Sequence, residues 1–284
     1  MTHRVLMCEP VHFRIDYEIN PWMRRLNAVA QIAAHEQWAM LRELIEGLGV
    51  RVELVEPGVD VPDMTFAANA GVVAGRRFIR SNFRFPERQP EAELFTLWFR
   101  KHGYQIETIP EPHSWEGEGD VLPSGDQVFA GYRFRTEGGA LDHLDLLLGQ
   151  PVVRLELVNP RFYHLDTCFC PLGEGRALYY PPAFSAKARE ILGRHFPDLI
   201  PVPRGEAERF ACNALIVDEN VVMNDGCERT CAELRQRGRR CLATPTDEFI
   251  KAGGSVKCLV LMLDAFERWA SPGPMGNAGR DIPR

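Results

Sequence analysis

The sequence contains eight polar residues whose types and spacing could support chemistry. They comprise one cysteine, one histidine, two asparagines and four carboxylates: Asp63, Asn69, Glu116, Asp120, His164, Asp166, Asn213 and Cys258. A cysteine becomes a nucleophile when its pKa is lowered or when a base lies beside it, and histidine is the usual base. These residue types therefore indicate a thiol nucleophile assisted by an imidazole.

The carboxylates of this set indicate the charge of the substrate. Several carboxylates around a thiolate would repel an anion and hold a cation. A planar cation with several N–H donors fits best, because carboxylates accept such a group bidentately. That description matches a guanidinium, whose electron-poor carbon would be attacked and would release ammonia or an amine after protonation by the histidine.

Each of these residues also has a purely structural interpretation. A lone cysteine on an apolar strand, such as Cys258, is common in protein cores, and Asn69 and Asn213 could be turn residues. Alternation along a predicted strand places His164 and Asp166 on one face, where they could form a surface pair. The functional interpretation is favoured because the cysteine, the histidine and the acids share one position within a repeating unit.

The repeat itself has a nearly constant period. Its units open at spacings of 51, 46, 47 and 45 residues, on Asn69, Asp120, Asp166, Asn213 and Cys258. Self-similarity with a period of roughly 20–50 residues is typical of propellers and solenoids. The sequence therefore predicts an α/β fold, a five-bladed α/β propeller with pseudo-fivefold symmetry, whose radial closure would remove sheet edges and gather the five residues near one axis. An ordinary α/β sandwich with accidental spacing is the alternative.

Hairpin and helix patterns give the boundaries of the predicted units. Hairpins are predicted over 69–79, 120–130, 166–180 and 213–223, followed by helices over 87–102, 141–148, 185–195 and 229–237. A strand over 3–8 and a helix over 24–48 would complete the last blade, beside a final strand over 256–262. We expect one catalytic domain over 1–270 and a loose C-terminal tail over 271–284.

The composition excludes several classes of protein. The 284 residues are 45% hydrophobic and 25% charged, which is typical of a chain that buries a sizeable core. A net charge of −6 argues against a nucleic-acid partner. No apolar run approaches the ~20 residues of a membrane span, and no secretory leader is indicated, so we expect a cytoplasmic protein. Because the sequence stops at residue 284, we expect no second activity.

The cysteines predict neither a disulfide framework nor a metal site. Eight cysteines are few for this length, so we expect free thiols in a reducing compartment. Cys168 and Cys170, like Cys227 and Cys231, lack the paired CxxC motifs and nearby histidine of a structural zinc site. We therefore expect no metal and no organic cofactor.

Four short motifs resemble those of the guanidine-modifying enzymes. In order, they are FAANAG (66–71), WEGEGD (115–120), FYHLD (162–166) and GGSVKC (253–258). This superfamily includes arginine deiminases, dimethylarginine dimethylaminohydrolases and amidinotransferases, and its fold is a five-bladed α/β propeller. The resemblance extends from about residue 4 to residue 264 and implies the same fold that the repeat predicts.

Longer matches resemble one branch, the arginine dihydrolases, which convert arginine to ornithine, ammonia and carbon dioxide. The matching segments are DYEINPWM (16–23), PDMTFAANAG (62–71) and FYHLDTCFCPL (162–172). Deiminases and dimethylaminohydrolases commonly carry Asp where this chain has Asn69, and their Glu-Gly-Gly-Asp motif is one residue longer here. The acid that faces the substrate is therefore Glu116 or Glu118, and we favour Glu116.

The resemblance implies a role for each candidate residue. Cys258 would attack the guanidinium carbon, and His164 would protonate the departing ammonia and then activate water. Four side chains would hold the guanidine nitrogens: Asp63, Asn69, Glu116 and Asp166. Arg88 and Arg135 would clamp the α-carboxylate of the substrate, and their structural alternative is surface solubility.

Three further expectations concern the substrate pocket. Asn20 would close its substrate end, and Asp120 would serve substrate binding by orienting its neighbours. Because an amide offers a donor and an acceptor, Asn69 could hold a guanidinium first and the ureido oxygen of citrulline second. A second attack on the same carbon would then give ornithine instead of citrulline.

Other functions remain as alternatives at this stage. Within the enzymes they are a dimethylarginine dimethylaminohydrolase, an arginine deiminase that stops at citrulline, and an amidinotransferase. A non-catalytic propeller that binds a partner, as in a ribosome anti-association factor, is a further alternative. Such a protein does not need a cysteine, a histidine and carboxylates at the same position of its repeating units. The expected partner is a small guanidino compound. The sequence is compatible with a homo-oligomer as well as with a monomer.

Overall fold

The computed structural model describes residues 3–270, so the predicted tail at 271–284 lies outside the described residues. The strands are β1 (Arg4–Cys8), β2 (Arg51–Val55), β3 (Gly71–Ala74), β4 (Arg77–Arg80), β5 (Gln105–Thr108), β6 (Val121–Ser124), β7 (Gln127–Tyr132), β8 (Val153–Glu156), β9 (Phe169–Gly173), β10 (Arg176–Tyr179), β11 (Asp198–Pro201), β12 (Leu215–Val217), β13 (Asn220–Asn224), β14 (Arg240–Thr244) and β15 (Leu261–Met262). The helices are α1 (Gln31–Gly47), α2 (Gln89–Lys101), α3 (Gly117–Asp120), α4 (Gly138–Leu148), α5 (Ala186–His195), α6 (Arg204–Ala207), α7 (Glu228–Gln236) and α8 (Asp247–Ile250).

These elements form five small sheets of three strands each, which is not the pair of stacked sheets of a sandwich. In four of them an antiparallel hairpin is followed by a helix and by a third strand parallel to the second, as in β3–β4–α2–β5. The hairpins turn tightly, for example at Gly75, where φ is +63° and glycine is the residue that adopts this conformation without strain. The four predicted hairpins and the helices that follow them are confirmed.

The fifth sheet joins the two ends of the described chain. Strand β1 lies in its centre, antiparallel to β15 and parallel to β2. Val5 is paired with Met262, and Arg4 with Arg51. The N-terminal strand therefore completes the last three-stranded unit, as the sequence predicts. The predicted final strand over 256–262 is too long: β15 covers only Leu261–Met262, because Lys257–Leu259 form a 3₁₀ turn.

Helix α1 begins later than the predicted 24–48. It starts at Gln31, and residues 24–30 are irregular. The N–H of Ala30 donates to Glu248 in α8 over 2.8 Å, so a long-range contact, and not a local cap, fixes where the helix begins. From there the buried positions Ala34, Trp38, Leu41 and Ile45 form one apolar face.

Four of the five repeat-opening residues lie in short helical turns, and the fifth, Asn213, lies in a bend before β12. The sequence predicts them at strand starts, whereas Asn69, Asp166 and Cys258 lie in 3₁₀ turns and Asp120 ends α3. In a strand, side chains two residues apart point the same way, whereas in a helical turn they do not. The side-chain directions predicted from strand alternation therefore do not apply to these residues.

Two further observations concern the expected character of the chain. Cys231 of α7 is bonded to Cys241 of β14 in a disulfide, so the expectation of free thiols is wrong for this pair, which folding brings together from two adjacent elements. The other six cysteines are free and buried.

Within residues 3–270, no helix has the length and apolarity needed to cross a membrane.

Candidate active site

The turns of neighbouring units contact one another directly. A Cβ on Gly117 would lie 2.6 Å from the backbone nitrogen of Gly71, so only glycine permits this close approach of the first two units. The N–H of Leu165 donates to the Asp120 carboxylate over 3.1 Å, which links the second unit to the third. Asn213 donates to the carbonyl of Asp166 over 3.2 Å and links the fourth unit to the third.

The candidate nucleophile lies at this meeting point, between two polar side chains. The Sγ atom of Cys258 is 3.3 Å from Asp166 Oδ2 and 3.1 Å from Asn213 Nδ2. The backbone N–H of Cys258 donates to Asn213 Oδ1 over 3.2 Å, so one amide holds both the sulfur and the main chain. Cys258 is only 3% exposed, which keeps the sulfur away from bulk solvent.

Burial favours the protonated forms of this thiol and its carboxylate partner. Burial, and then the adjacent Asp166 carboxylate, raise the pKa of Cys258 well above its usual range. Burial also raises the pKa of Asp166 to about 7. The sulfur is therefore a thiol that donates to Asp166 when no cation is nearby.

The candidate acid–base residue belongs to a second polar cluster. His164 Nε2 is 2.8 Å from Glu116 Oε2, and Arg135 Nη1 donates to the same oxygen over 2.9 Å. The predicted pair of His164 with Asp166 on one strand face is therefore wrong, because residues 165–167 form a 3₁₀ turn that separates the two side chains. His164 pairs with Glu116, and Asp166 with Cys258.

The two hydrogen-bond partners of Glu116 determine its ionisation. Although burial opposes ionisation, Arg135 and the His164 hydrogen bond hold the pKa of Glu116 well below its usual range. Burial lowers the pKa of His164 to about 4. A neutral imidazole that donates from Nε2 to an ionised carboxylate leaves Nδ1 as its proton acceptor.

Glu118, the alternative to Glu116, lies in a different environment. Its carboxylate accepts from Lys257 Nζ over 2.7 Å and from the Met262 N–H over 3.1 Å. Lys257 also donates to the carbonyl of Val260 over 3.0 Å. The structure thus places Glu116, and not Glu118, against His164.

Asn69 is held by a buried arginine. Arg88 Nη1 donates to Asn69 Oδ1 over 2.8 Å, and Arg88 Nη2 donates to the Asp63 carbonyl over 3.3 Å. The same guanidinium binds Glu91 through two N–H groups, at 2.8 and 2.7 Å. Because Arg88 can only donate, Asn69 must turn its oxygen toward the arginine and its NH₂ away from it.

Several buried polar atoms in and beside these clusters have no hydrogen-bond partner among residues 3–270. They are Asn69 Nδ2 and Asp166 Oδ1, together with Asp63 Oδ1 and the Tyr17 hydroxyl, which lie close enough for each group to shift the pKa of the other. Leaving such groups unpaired costs about 1–3 kcal/mol each, so they mark a place where a polar ligand would be stabilised. Burial raises the pKa of Asp63, and a cationic ligand beside it would lower that pKa again.

The structure places the remaining predicted residues as follows. Arg88 and Arg135 are 4% and 3% exposed, so the surface-solubility alternative is wrong for both. Asn20 lies on the segment before α1 and tethers it, donating to the Ala252 carbonyl over 3.0 Å. Asp120 accepts from Leu165 and from Thr136 Oγ1, the latter over 2.7 Å, so it orients neighbouring groups and keeps neither oxygen unpaired.

Sequence reasoning missed two residues of the site and gave a third no role. The third is Asn213, which the repeat places among the candidates and which contacts the sulfur of Cys258. Thr136 bridges Asp120 and the Glu116 N–H, the latter over 3.2 Å. Glu91 pairs with Arg88 inside α2, where the sequence shows only an ordinary acidic helix start.

In the part of the chain that the structure describes, no three His, Cys, Asp or Glu side chains are grouped so as to hold a metal ion. The carboxylates Glu116 and Asp166 are instead hydrogen-bonded to Arg135, His164 and the Cys258 thiol. What the arrangement can do is bind a donor-rich cation beside a thiol and move protons through His164.

Comparisons with known proteins agree with this chemistry. Residues 9–264 match the family described as N,N dimethylarginine dimethylhydrolase, eukaryotic. The chain is 41% identical over 263 residues to the bifunctional arginine dihydrolase/ornithine cyclodeaminase ArgZ of Synechocystis sp., covering 91% of this chain and 37% of that protein. It is also 41% identical over 260 residues to the N(G),N(G)-dimethylarginine dimethylaminohydrolase of Mycobacterium tuberculosis, covering 92% of this chain and 85% of that protein. The chain therefore spans less than two-fifths of the length of ArgZ.

A solved structure extends the similarity to three dimensions. A crystal structure of the N-terminal domain of ArgZ, an arginine dihydrolase, has a cysteine-to-serine substitution and bound substrate. It superimposes on this chain with a TM-score of 0.89 at 40% identity, covering 92% of this chain and 98% of that one.

Proposed function

This chain belongs to the N,N-dimethylarginine dimethylhydrolase family of guanidine-modifying enzymes, and from that premise we propose that it is an arginine dihydrolase. It hydrolyses the guanidino group of arginine through a covalent cysteine intermediate and yields ornithine, ammonia and carbon dioxide. The observation that carries the proposal is the set of unpaired buried atoms, which comprises two carboxylate oxygens, of Asp63 and Asp166, and an amide NH₂, of Asn69, in place of a third carboxylate.

The two carboxylate oxygens suit the guanidinium of arginine. Each can accept an N–H of the cation, and the buried setting strengthens these charge-assisted hydrogen bonds. Binding of the cation would also lower the raised pKa of Asp166 and of Cys258. The substrate thereby favours the thiolate that attacks it.

The first chemical step conserves atoms and charge. Cys258 Sγ forms a bond to the guanidinium carbon, and the thiol proton passes to His164 Nδ1. His164 returns this proton to one –NH₂ of the tetrahedral adduct, whose C–N bond breaks to release ammonia. The product of this step is a cationic thiouronium on Cys258.

Water then replaces the sulfur. His164, neutral again, accepts a proton from water as the oxygen attacks the thiouronium carbon, and Glu116 stabilises the imidazolium that forms. The C–S bond breaks, Cys258 leaves as a thiolate, and His164 returns the proton to the sulfur. The protonated ureido group gives its proton to the ammonia released in the first step, and neutral citrulline remains.

Asn69 distinguishes the second round from the first: with its oxygen held by Arg88 it offers only donors, so Asp63 and Asp166 hold the guanidinium in the first round. Its NH₂ can donate to the ureido oxygen, whereas an aspartate there would oppose one acceptor with another. Cys258 can then attack the same carbon, releasing the second ammonia, and hydrolysis leaves a carbamate that breaks down to ornithine and carbon dioxide.

The proposal includes the substrate's other end and the overall architecture. Arg88 and Arg135 retain N–H groups for the α-carboxylate, with Asn20 closing that end through the segment that it tethers.

The five sheets, with the contacts between their inner turns, close into a five-bladed propeller with pseudo-fivefold symmetry.

The second candidate is dimethylarginine hydrolysis. It is favoured by the Mycobacterium tuberculosis relative, which this chain matches at 41% identity over 85% of that protein. It would release dimethylamine and stop at citrulline, so the products separate the two candidates.

The test is to incubate the protein with arginine, citrulline and asymmetric dimethylarginine in turn, and to quantify amino acids and ammonia. We expect ornithine and two equivalents of ammonia from arginine, and citrulline as the main product of Asn69→Asp. Asn27→Asp, at an exposed position, is the matched control and should behave as wild type. Wild-type protein that yields only citrulline, or that acts on dimethylarginine alone, would contradict the proposal.

A further inference from the structure

We infer that Glu91 is a positioning residue that determines the product of the reaction, acting through Arg88 on the orientation of the Asn69 amide. The inference rests on the proposed arginine dihydrolase function. It extends the site to a side chain that touches neither substrate nor sulfur.

The contacts form a continuous chain from α2 to the amide of Asn69. Glu91 accepts from Arg88 Nε over 2.8 Å and from Nη2 over 2.7 Å, a bidentate arrangement that fixes the plane of the guanidinium. The remaining terminal nitrogen, Nη1, donates to Asn69 Oδ1 over 2.8 Å. Arg88 is also held from its face by the ring of Phe83, whose centroid lies 4.7 Å from the guanidinium carbon.

The orientation of a side-chain amide depends on such a neighbour. The oxygen and the NH₂ of asparagine have nearly the same shape, so only hydrogen bonding decides which one faces the substrate. With Arg88 in place, the oxygen is committed to the guanidinium, and Nδ2 has no partner within the described residues. If Arg88 moved, the amide could rotate and present its oxygen to citrulline, where it would repel the ureido oxygen.

The location of Glu91 suits positioning better than stabilisation. Glu91 is fully buried and lies three residues from Arg88 in the first turn of α2. A buried ion pair contributes little net stability, because desolvation of both ions offsets their attraction. What the pair provides is a fixed direction for Nη1.

Two variants of Glu91 separate positioning from simple charge neutralisation. Glu91→Gln removes the charge and one of the two strong acceptors. Glu91→Asp keeps the negative charge, which is what a purely structural role requires. Its shorter side chain cannot make both hydrogen bonds to Arg88. Glu93→Gln is the matched control, since Glu93 lies on the same helix and pairs with Arg80 at the surface.

The measurement is the citrulline-to-ornithine ratio during arginine turnover, with thermal unfolding to verify folding. We expect the ratio to rise at least about tenfold in Glu91→Gln and to a smaller extent in Glu91→Asp, since a charge-assisted hydrogen bond is lost. The KM for arginine should rise as well, because Arg88 also holds the α-carboxylate of the substrate, so the product ratio and not the rate is the deciding measurement. The control should keep the wild-type ratio.

The outcomes are distinct. Folded Glu91 variants with the wild-type ratio, beside a wild type that makes ornithine, would overturn this inference alone. If Glu91→Gln fails to fold, the ratio in Glu91→Asp decides. A wild type that stops at citrulline would overturn the proposed function and this inference with it.

Discussion

Two clusters of the site are equally buried, yet they differ in protonation. On the thiol side, Asp166 and Cys258 have no cation hydrogen-bonded to them within the described chain, and burial raises the pKa of both. On the imidazole side, Arg135 and His164 bind Glu116 directly and hold its pKa well below its usual range. Between these two clusters, the difference follows the charged Arg135 that is hydrogen-bonded to Glu116, whereas burial dominates for Asp166 and Cys258. The substrate guanidinium would supply that missing cation on the thiol side.

The largest expected effect comes from removing the thiol itself. Cys258→Ser should lower the rate of arginine consumption by at least about a thousandfold, because a hydroxyl is a far poorer nucleophile at neutral pH. Cys170→Ser is the matched control: Cys170 is also a buried free thiol, but it contacts the Ala214 carbonyl instead of the site. A Cys258→Ser protein with a tenth of wild-type activity would contradict the mechanism.

The imidazole side is tested by the two neighbouring glutamates. Glu116→Gln should reduce kcat by about a hundredfold or more, since His164 loses the ionised partner that stabilises its protonated form. Glu118→Gln breaks the contact with Lys257 but leaves that partner in place, so its loss should be about tenfold or less. Steady-state kinetics with arginine measure both, and the reverse order would identify Glu118 as the acid that serves the substrate.

The thiol side is tested by the pH dependence of stability. Asp166 has an ordinary pKa of 3.8 and a pKa of about 7 in the folded protein, so the stability that it contributes is full below its unfolded pKa and is lost as pH rises through about 7. Asp166→Asn cannot ionise. The difference between its free energy of unfolding and that of wild type should therefore increase from pH 5 to pH 8, in favour of the variant, by on the order of 2 kcal/mol.

Chemical denaturation at several pH values measures this difference. The contribution of His164 is common to both proteins and cancels in the comparison. A difference that shrinks with rising pH would show that Asp166 is charged in the resting site.

The smallest expected effect is that of metal removal. Dialysis against a chelator should leave activity unchanged, because the chemistry requires only the thiol, the imidazole and the carboxylates. A thiol-alkylating reagent should abolish activity, and arginine should protect by covering Cys258. Restoration of lost activity by zinc or manganese after dialysis would contradict the proposal.

Local patterns predicted much of this architecture. Each of the four central units is built from consecutive residues, so its hairpin, crossover helix and third strand leave a readable period in the chain. The N-cap of α5 is a clear case: Ser185 accepts from the Ala188 N–H over 3.2 Å, as its residue type predicts. Where long-range contacts decide, as at the start of α1 beside Glu248, the local pattern misplaced the boundary.

The sequence alone determined the residue types of the site and their common phase, because a repeated unit places the same position of every unit at one end of its inner strand. Only the tertiary structure decided the partners within that set. It placed His164 with Glu116 and Cys258 with Asp166 and Asn213, and it separated Glu118 from them. These pairs join different units, so their distances depend on how the units pack around one another, and no spacing along the chain encodes that packing.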